Sequence, residues 1–149
     1  MSPSPLRAHL GFWLRSVSNH VSLSFARRLE AHEVTVAEWV LMRELYDHVD
    51  LTPSELAEAM GMTRGAISKL AERLVAKALI GREDDPADRR SHRLSLTLRG
   101  RALVPVMAAL ADENDAAIFG ALDPASREAL EGALRALASA HSLTTPPLG

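Results

Sequence analysis

The sequence predicts a mainly α-helical protein with a small β wing, built as a winged helix-turn-helix core flanked by long helices at both ends. Three observations support this class. Residues 52–78 resemble two short helices joined at a glycine, residues 79–97 resemble a β hairpin, and apolar residues recur at helical spacing in 6–30 and 98–143. With 149 residues, the chain has the length of a single domain, 1–149.

The first two helices are predicted by apolar spacing and a helix-start signal. Thr35 and Glu38 form the pattern of a capping box, in which each side chain accepts a hydrogen bond from the other residue's amide. This second helix is expected to end near His48, so that residues 35–97 contain the whole winged helix-turn-helix. The apolar stripe of the preceding helix is Leu10, Trp13, Leu14, Val17, Val21 and Phe25.

The helix-turn-helix begins at a strong start signal. Thr52 can cap its first helix, Pro53 suits the first helical position, and Glu55 can complete a capping box. Gly61 supplies the backbone freedom for a sharp turn. Thr63 can cap the second helix, which is expected to run to about residue 78. Its inward stripe is predicted to be Ile67, Leu70, Leu74 and Ala78.

The opposite face of this second helix is polar and basic. Its members are Arg64, Ser68, Lys69, Glu72, Arg73 and Lys77, and the first turn also presents Thr63 and Gly65. Such a helix fits a DNA major groove, where donors near its start can reach base edges and later basic residues can meet phosphates. A basic helix face is also common as solvated surface, so the helix alone does not decide.

The predicted hairpin adds a second basic feature. Residues 79–83 and 93–97 have strand-like patterns, and residues 84–92 between them predict a long tip. The tip carries the adjacent Arg89 and Arg90, whose guanidinium groups can enter a narrow minor groove. An arginine pair in a loop is often only solvated charge, but here it directly follows a helix-turn-helix.

Two further helices are predicted after the hairpin. Thr97 can cap a helix that reaches about Leu122, and Pro105 is expected to bend it near residues 101–105. Asp123 and Pro124 then start the last helix. On the first of these helices the predicted buried residues are Leu103, Val106, Met107, Leu110 and Ile118. On the last helix Leu130, Leu134 and Leu137 lie at helical spacing. The end helices are expected to form a second layer, which a bundle within one chain could satisfy.

The charge distribution favours one basic surface on an acidic body. Residues 61–101 hold ten Lys and Arg against five Asp and Glu, a local charge of +5, whereas the rest of the chain holds seven basic and fourteen acidic residues, or −7. This segregation would steer a single face toward phosphates. Chance clustering is the alternative, and the motif beneath the basic segment argues against it.

The hairpin resembles the wing of the MarR family of bacterial transcriptional regulators. The resemblance rests on the runs Leu79 to Arg82, Asp85 to Arg90 and Leu94 to Thr97, followed by Gly100. Length and helix order also agree over nearly the whole chain. One departure is Ala78, which stands where relatives usually have glycine and leaves the end of that helix open.

The resemblance implies specific roles for the basic residues. It implies that Arg89 or Arg90 is the minor-groove residue, without deciding between them, and that Asp88 supports Arg90. It also implies a transcriptional regulator, expected to be a repressor, that binds double-stranded DNA at an inverted repeat. The positions implied to contact DNA on the recognition helix are Thr63, Arg64, Gly65, Ser68, Lys69 and Arg73.

The resemblance further implies a homodimer and a ligand pocket. Helices 6–30 and 98–143 would intertwine with those of a second chain. A small anionic aromatic ligand could then bind near Trp13 and Trp39, with Arg15 or Arg43 as its anchor. The alternative is that both tryptophans are ordinary core residues, and this simpler interpretation is preferred.

Other function classes have little support in the sequence. The chain has no cysteine, so it lacks disulfides, thiolate metal ligands and thiol oxidation sensing. Its six histidines show no helical pairing, although distant segments could still assemble a metal site. We therefore expect no cofactor, no metal and no catalysis, although distant catalytic residues can converge in ways that sequence does not reveal.

The sequence also bears on cellular location and on a rival function. It has no membrane-spanning apolar run and no signal-peptide pattern, which predicts a cytoplasmic protein without a membrane partner. The rival function is a winged helix whose basic face contacts an acidic protein without sequence-specific DNA binding. The operator, the controlled genes and the identity of any ligand are not predictable from the sequence.

Overall fold

The computed structural model describes residues 1–143, except for the side chains of residues 85 and 88–91. The predicted helical class with a small β wing is confirmed. In the described residues the order of elements is α1 (Leu10–Leu29), α2 (Val36–Tyr46), α3 (Pro53–Met60), α4 (Arg64–Ala76), β1 (Ile80–Asp85), β2 (Asp88–Leu96), α5 (Leu98–Phe119) and α6 (Pro124–Ala140).

The predicted helix starts are confirmed at five positions, because each cap is a local hydrogen bond encoded within a few residues. Complete capping boxes are present at Thr35 and Thr52. Single caps at Thr63, Thr97 and Asp123 begin α4, α5 and α6. Hydrogen bonds from Ser126 to the Asp123 carboxylate lower the pKa of that group.

The helix ends differ from the sequence predictions by a few residues. The predicted first helix starts with a separate 3-10 turn, Leu6–Ala8, because His9 has an extended backbone. α2 ends two residues before His48, and α5 ends at Phe119 rather than Leu122. α5 passes through Pro105 without interruption, so the bend near residues 101–105 stays a prediction.

The two turns of the helix-turn-helix region use left-handed backbone. Gly61 ends α3 with φ of 64°, as predicted. α4 ends at Ala76, and Ala78 follows with φ of 60°. Ala78 thus adopts the conformation that glycine tolerates best, and its side chain is exposed rather than part of the inward stripe.

The hairpin is longer than predicted and its tip is shorter. β1 and β2 pair antiparallel from Ile80↔Leu96 to Asp84↔His92, and after an irregularity the pairing resumes at Asp85↔Asp88. The prediction of a long tip over residues 84–92 is therefore wrong. An exposed ladder can continue through charged residues, because its backbone hydrogen bonds do not require alternating apolar side chains.

The core lies beneath the hairpin and between α2, α3, α4 and the first half of α5. It includes Leu41, Met60, Ile67, Leu94 and Met107, which are almost fully buried. Leu51 joins this core and bridges to Leu94 through two backbone hydrogen bonds of 2.8 and 2.9 Å. In α5, Val104 is buried and the predicted Val106 is exposed.

The end helices leave apolar surface uncovered. α1 packs against α5, where Ser24 donates a 2.7 Å hydrogen bond to the buried Asn114. No residue of α6 is buried, and Leu134 and Leu137 keep 41% and 52% of their surface exposed. Among the described residues α1 thus packs against α5, whereas the apolar stripe of α6 stays uncovered, so a bundle within one chain does not satisfy α6.

Candidate nucleic-acid interface

Most of the predicted DNA-contacting residues lie on the outward face of α4. Its inward side is formed by Ile67, Leu70 and Leu74, which are buried in the core. The opposite side is exposed. It carries the acidic Glu72 and the six predicted DNA-contacting residues, which we call the recognition face: Thr63, Arg64, Gly65, Ser68, Lys69 and Arg73. The fold therefore brings all six predicted residues of this helix onto one solvent-facing surface.

The cations of the recognition face are not neutralised by other described residues. Arg64, Lys69 and Arg73 make no ion pair and no side-chain hydrogen bond within the part of the chain that the structure describes. A guanidinium or ammonium group in this state can bind an external phosphate without first breaking an internal contact. The recognition face can therefore receive an anionic partner as it stands.

The start of α4 leaves space for a close approach. Thr63 accepts a 3.1 Å hydrogen bond from the amide of Ala66, and its hydroxyl hydrogen stays available as a donor. A side chain at Gly65 would approach only the Thr63 hydroxyl, at 4.0 Å. Internal packing therefore does not require glycine there, and the missing side chain opens the surface beside Arg64.

Lys77 does not belong to the recognition face, although the sequence grouped it with the basic residues. Its Nζ atom lies 3.0 Å from both carboxylate oxygens of Glu38 and 2.6 Å from the carbonyl oxygen of Glu33. Glu38 was predicted only as part of a capping box. No sequence spacing indicates this ion pair, because its two partners are 39 residues apart.

The wing can be described by its backbone but only partly by its side chains. Asp88, Arg89 and Arg90 lie in β2, while their side chains fall outside the described residues. The predicted minor-groove contact and the predicted support by Asp88 are thus not tested. At the base of the wing, Arg93 donates a 2.7 Å hydrogen bond to Asp50, which ties β2 to the segment before α3.

The tryptophans predicted to line a ligand pocket have different environments. Trp39 packs edge-on against Phe25, with ring centroids 6.2 Å apart, as expected for a core residue. Trp13 is 51% exposed, and its indole donates a 2.8 Å hydrogen bond to the carbonyl of Arg7. The core interpretation therefore fits Trp39 and does not fit Trp13 in the isolated chain.

The predicted arginine anchors also differ. Arg15 is exposed and has no partner among the described residues. Arg43 pairs with Asp47 at 2.9 Å and lies over the Tyr46 ring, 5.5 Å from its centroid. The structure does not assemble Arg15, Arg43 and the two tryptophans into one cavity, and their ligand role stays a prediction.

Two open grooves lie elsewhere on the end helices. The first has a volume of about 460 Å³ and lies between α5 and α6, where Phe119, Arg127 and Leu134 contribute to its walls. The second, of about 310 Å³, follows α1 along His20, Ser24 and Arg27. Neither groove is lined by the predicted ligand residues.

The described part of the chain offers neither a metal-ligand cluster nor a membrane-spanning helix. Among residues 1–143, outside the side chains left undescribed, no three His, Asp or Glu side chains group together as metal ligands. Over the same residues, no helix combines the length and the apolar character needed to cross a membrane.

Comparison with known proteins agrees with this arrangement. Residues 32–91 match the sequence profile of the MarR family. The chain is 32% identical over 134 residues to a putative transcriptional regulatory protein for the hcr operon of Thauera aromatica, covering 89% of this chain and 80% of that one. It is 28% identical to the transcriptional repressor NicR of Pseudomonas putida, over 90% and 85% of the two chains.

A solved structure resembles the fold closely. It is BpsR of Bordetella bronchiseptica, described with the mechanism by which 6-hydroxynicotinic acid regulates its DNA binding. The TM-score is 0.81 at 29% identity, and the alignment covers 92% of this chain and 98% of BpsR. This chain belongs to the MarR family of transcriptional regulators. Its class is therefore that of a winged helix-turn-helix transcriptional regulator.

Proposed function

We propose that this protein is a homodimeric repressor that binds an inverted repeat in double-stranded DNA and responds to a small ligand. The observation that carries the proposal is the recognition face, an exposed row of uncompensated cations on a helix whose other side is fixed in the core. Such a helix can enter a major groove as a rigid unit.

The positions of the recognition-face residues along α4 suggest which of them contact bases and which contact phosphates. Arg64 lies in the first helical turn, where a guanidinium group can donate two hydrogen bonds to a guanine edge. Lys69 and Arg73 lie further along the same exposed face, where they can meet phosphates. Thr63, Gly65 and Ser68 would let the DNA approach closely and add neutral hydrogen-bond donors.

The wing would add a minor-groove contact. Either Arg89 or Arg90 is the proposed inserted residue, and Asp88 is the proposed support for Arg90. Their positions in β2 support this role, because β1 and β2 form a hairpin that directly follows α4 in the chain. Guanidinium groups are favoured in narrow minor grooves by the negative potential there.

The dimer is supported by the uncovered end helices. α6 presents Leu134 and Leu137 to solvent, and Trp13, Leu14 and Val17 are exposed on the first half of α1. Several large apolar side chains exposed on the same helices are costly in water and indicate an interaction site. A twofold dimer would place two recognition faces about one DNA turn apart, which matches an inverted repeat.

Ligand response is supported by the likeness to BpsR and by the exposed Trp13. The compound described with BpsR is an aromatic acid, and Trp13 offers a half-exposed indole on α1, the helix that also carries the exposed Arg15. In this hypothesis an anionic aromatic compound binds near Trp13 and releases DNA. Titration of 6-hydroxynicotinic acid, phenolic acids and purines tests it, and unchanged tryptophan fluorescence across the panel would count against it.

The main experiment is selection of bound fragments from random DNA by purified protein, at low and at near-physiological salt. Recovery of one palindromic site at both salt concentrations is the expected result. Binding that disappears with salt and leaves no shared site would mean that the recognition face is only electrostatic. The function would then be that of a protein-contact module with an acidic partner.

The proposal also places the protein in the cytoplasm and assigns it no catalytic activity. DNA binding requires access to the chromosome, which supports the location. The second groove does contain His20 and Ser24, but the Ser24 hydroxyl donates its hydrogen to Asn114 at 2.7 Å, so the described residues do not form a nucleophile activated by a base. Both statements follow from the regulator class and would change if the selection experiment failed.

A further inference from the structure

The first turn of α5 binds the end of α4 through three consecutive carbonyl groups. Arg99 donates a 3.1 Å hydrogen bond from Nη1 to the carbonyl of Lys77. Thr97 donates its hydroxyl to the carbonyl of Ala78 at 2.8 Å and its amide to the carbonyl of Leu79 at 3.1 Å. We call these five residues together with Gly100 the α4–α5 junction.

Two backbone segments also approach each other closely at the α4–α5 junction. Gly100 is buried in the first turn of α5, and a Cβ atom added there would lie 2.0 Å from the carbonyl oxygen of Leu79. The two backbones are therefore closer than any other residue at position 100 permits. The same Thr97 hydroxyl accepts the amide of Gly100 at 3.0 Å, which joins the helix cap to the contact with α4.

The α4–α5 junction pairs the backbone carbonyl groups of the three residues that directly follow α4. The helix-end carbonyls of Arg73, Leu74 and Val75 are already paired with the amides of these same three residues. The carbonyls of Lys77, Ala78 and Leu79 are then paired with donors from a single neighbouring turn. Three hydrogen bonds to consecutive residues restrict tilt and rotation of α4 more than one bond would. The end of α4 is thus held in a fixed orientation relative to α5.

We infer that Thr97, Arg99 and Gly100 are positioning residues that set the separation between the two half-sites of the operator. This inference rests on the proposed dimeric DNA binding. α5 belongs to the dimerisation helices, so the separation of the two α4 helices depends on how each is held on its own α5. Loosening the α4–α5 junction should spare contacts within one half-site and weaken the preference for one spacing.

The matched pair Thr97→Val and Thr97→Ser tests this inference without changing charge. Valine removes the hydroxyl that bonds Ala78, and serine retains it. Binding is measured by the full-length protein to its selected inverted repeat and to repeats lengthened or shortened by one or two base pairs. We expect the natural protein and Thr97→Ser to prefer one spacing by about tenfold, and Thr97→Val to retain about threefold or less.

The pair Arg99→Ala and Arg99→Lys separates positioning from phosphate contact. Removal of a phosphate contact would lower affinity equally at every spacing and would reduce the slope of log affinity against log salt. A positioning role predicts an unchanged slope with a weaker spacing preference. Arg135→Ala, which removes an exposed arginine of α6 far along the chain, is the matched control.

A distance measurement tests the geometry without DNA. The chain has no cysteine, so Glu72→Cys on the exposed side of α4 carries the only spin label of each protomer. Label-to-label distances are then compared with and without Thr97→Val. We expect the mean to shift by about 3 Å or more, the rise of one base pair, or the distribution to widen by a comparable amount. Asp112→Cys on α5 is the control and should not change.

The two measurements distinguish the possible failures. Unchanged α4 distances in Thr97→Val would overturn the inference, whether or not the protein binds DNA. Changed α4 distances in a protein that selects no DNA site would overturn the proposed function and leave the positional role of the α4–α5 junction supported. Altered Asp112→Cys distances would show instead that the variant disturbs the dimer, and would overturn the specific assignment to α4.

Discussion

The Nζ atom of Lys77 lies 3.0 Å from each carboxylate oxygen of Glu38, and the Glu38 side chain is fully buried. The amide of Thr35 donates a 2.8 Å hydrogen bond to the same carboxylate. Glu38 therefore completes the capping box of α2 and also holds the residue that follows α4. A buried carboxylate is stable only when it is paired and hydrogen-bonded, and these contacts supply both.

Lys77→Met should destabilise the fold by about 2 to 3 kcal/mol, because it leaves the Glu38 carboxylate buried without a counter-ion. The value lies below the range of about 3 to 5 kcal/mol for broken buried pairs, since the Lys77 side chain is about one third exposed. Urea unfolding at fixed protein concentration measures the change.

The double variant Glu38→Gln with Lys77→Met is the control for this ion pair. Glutamine keeps an oxygen for the capping bond with Thr35 and removes the unpaired charge. We expect it to recover about 1 kcal/mol or more of the free energy of unfolding relative to Lys77→Met. Equal destabilisation of both proteins would show that the charge of Glu38 does not matter.

Arg64→Ala should change base preference at one position of each half-site. Removal of a two-bond contact to a base edge costs about 1 to 3 kcal/mol and relaxes discrimination at that position. Repeating the selection from random DNA with the variant provides the measurement. An unchanged selected site would show that Arg64 contacts only the DNA backbone.

Arg73→Ala should weaken binding to many sequences by similar factors. If Arg73 binds a phosphate, the salt slope should fall by about one unit for each phosphate that the variant no longer neutralises. A dimer carries two copies of Arg73, so the slope should fall by about two. Binding curves between low and near-physiological salt on the selected site and one mismatched site provide the test, and an effect confined to one sequence would contradict it.

Replacing Arg89 and Arg90 with alanine should weaken binding to many sequences about equally, because a minor-groove arginine reads potential and width more than base identity. Single variants show which of the two residues carries the contact. The measurement is affinity across a set of mutated operators, with Arg7→Ala at the opposite end of the chain as a charge control. A decrease restricted to one base position would contradict the minor-groove role.

Leu134→Glu should convert the dimer to monomers at micromolar concentration, because it places a charge within the exposed apolar stripe of α6. Ser139→Glu adds the same group on the other side of the helix and is the matched control. Sedimentation measures the assembly state. Retention of the dimer in Leu134→Glu would mean that α6 is not part of the interface.

Ala78→Gly should stabilise the fold by about 1 kcal/mol or less, because φ of 60° is costly for alanine and free for glycine. Glycine also makes the unfolded chain more flexible than alanine does, which offsets part of this increase in stability. Ala102→Gly, in the exposed part of α5, is the control and should destabilise by about 1 kcal/mol. Lower stability of Ala78→Gly would show that the left-handed backbone is not strained.

Local chemistry explains why much of the fold was predictable. The caps at Thr35, Thr52, Thr63, Thr97 and Asp123 each depend on residues within three positions, so the sequence contains the whole interaction. Helical spacing also predicted the exposed face of α4, because it separates that face from the buried Ile67, Leu70 and Leu74. The choice of six residues on this face came from the resemblance to the MarR family.

The errors arose where a residue's environment depends on distant parts of the molecule. Lys77 was grouped with the DNA-facing cations because its partner Glu38 is far away in sequence. Val106 has the spacing of a buried residue, yet no described element packs over it and 46% of its surface is exposed. The strand pairing of Asp84 and His92 was missed because exposed charged strands show no apolar alternation.

The exposed leucines of α6 affect how stable a subunit is in the cell before it forms a dimer. In a newly made monomer, α6 buries little apolar surface. Local unfolding of this helix should therefore cost little free energy and expose it to proteases. Pairing depends on the square of the concentration, and so a small drop in synthesis would lower the number of assembled regulators more than proportionally.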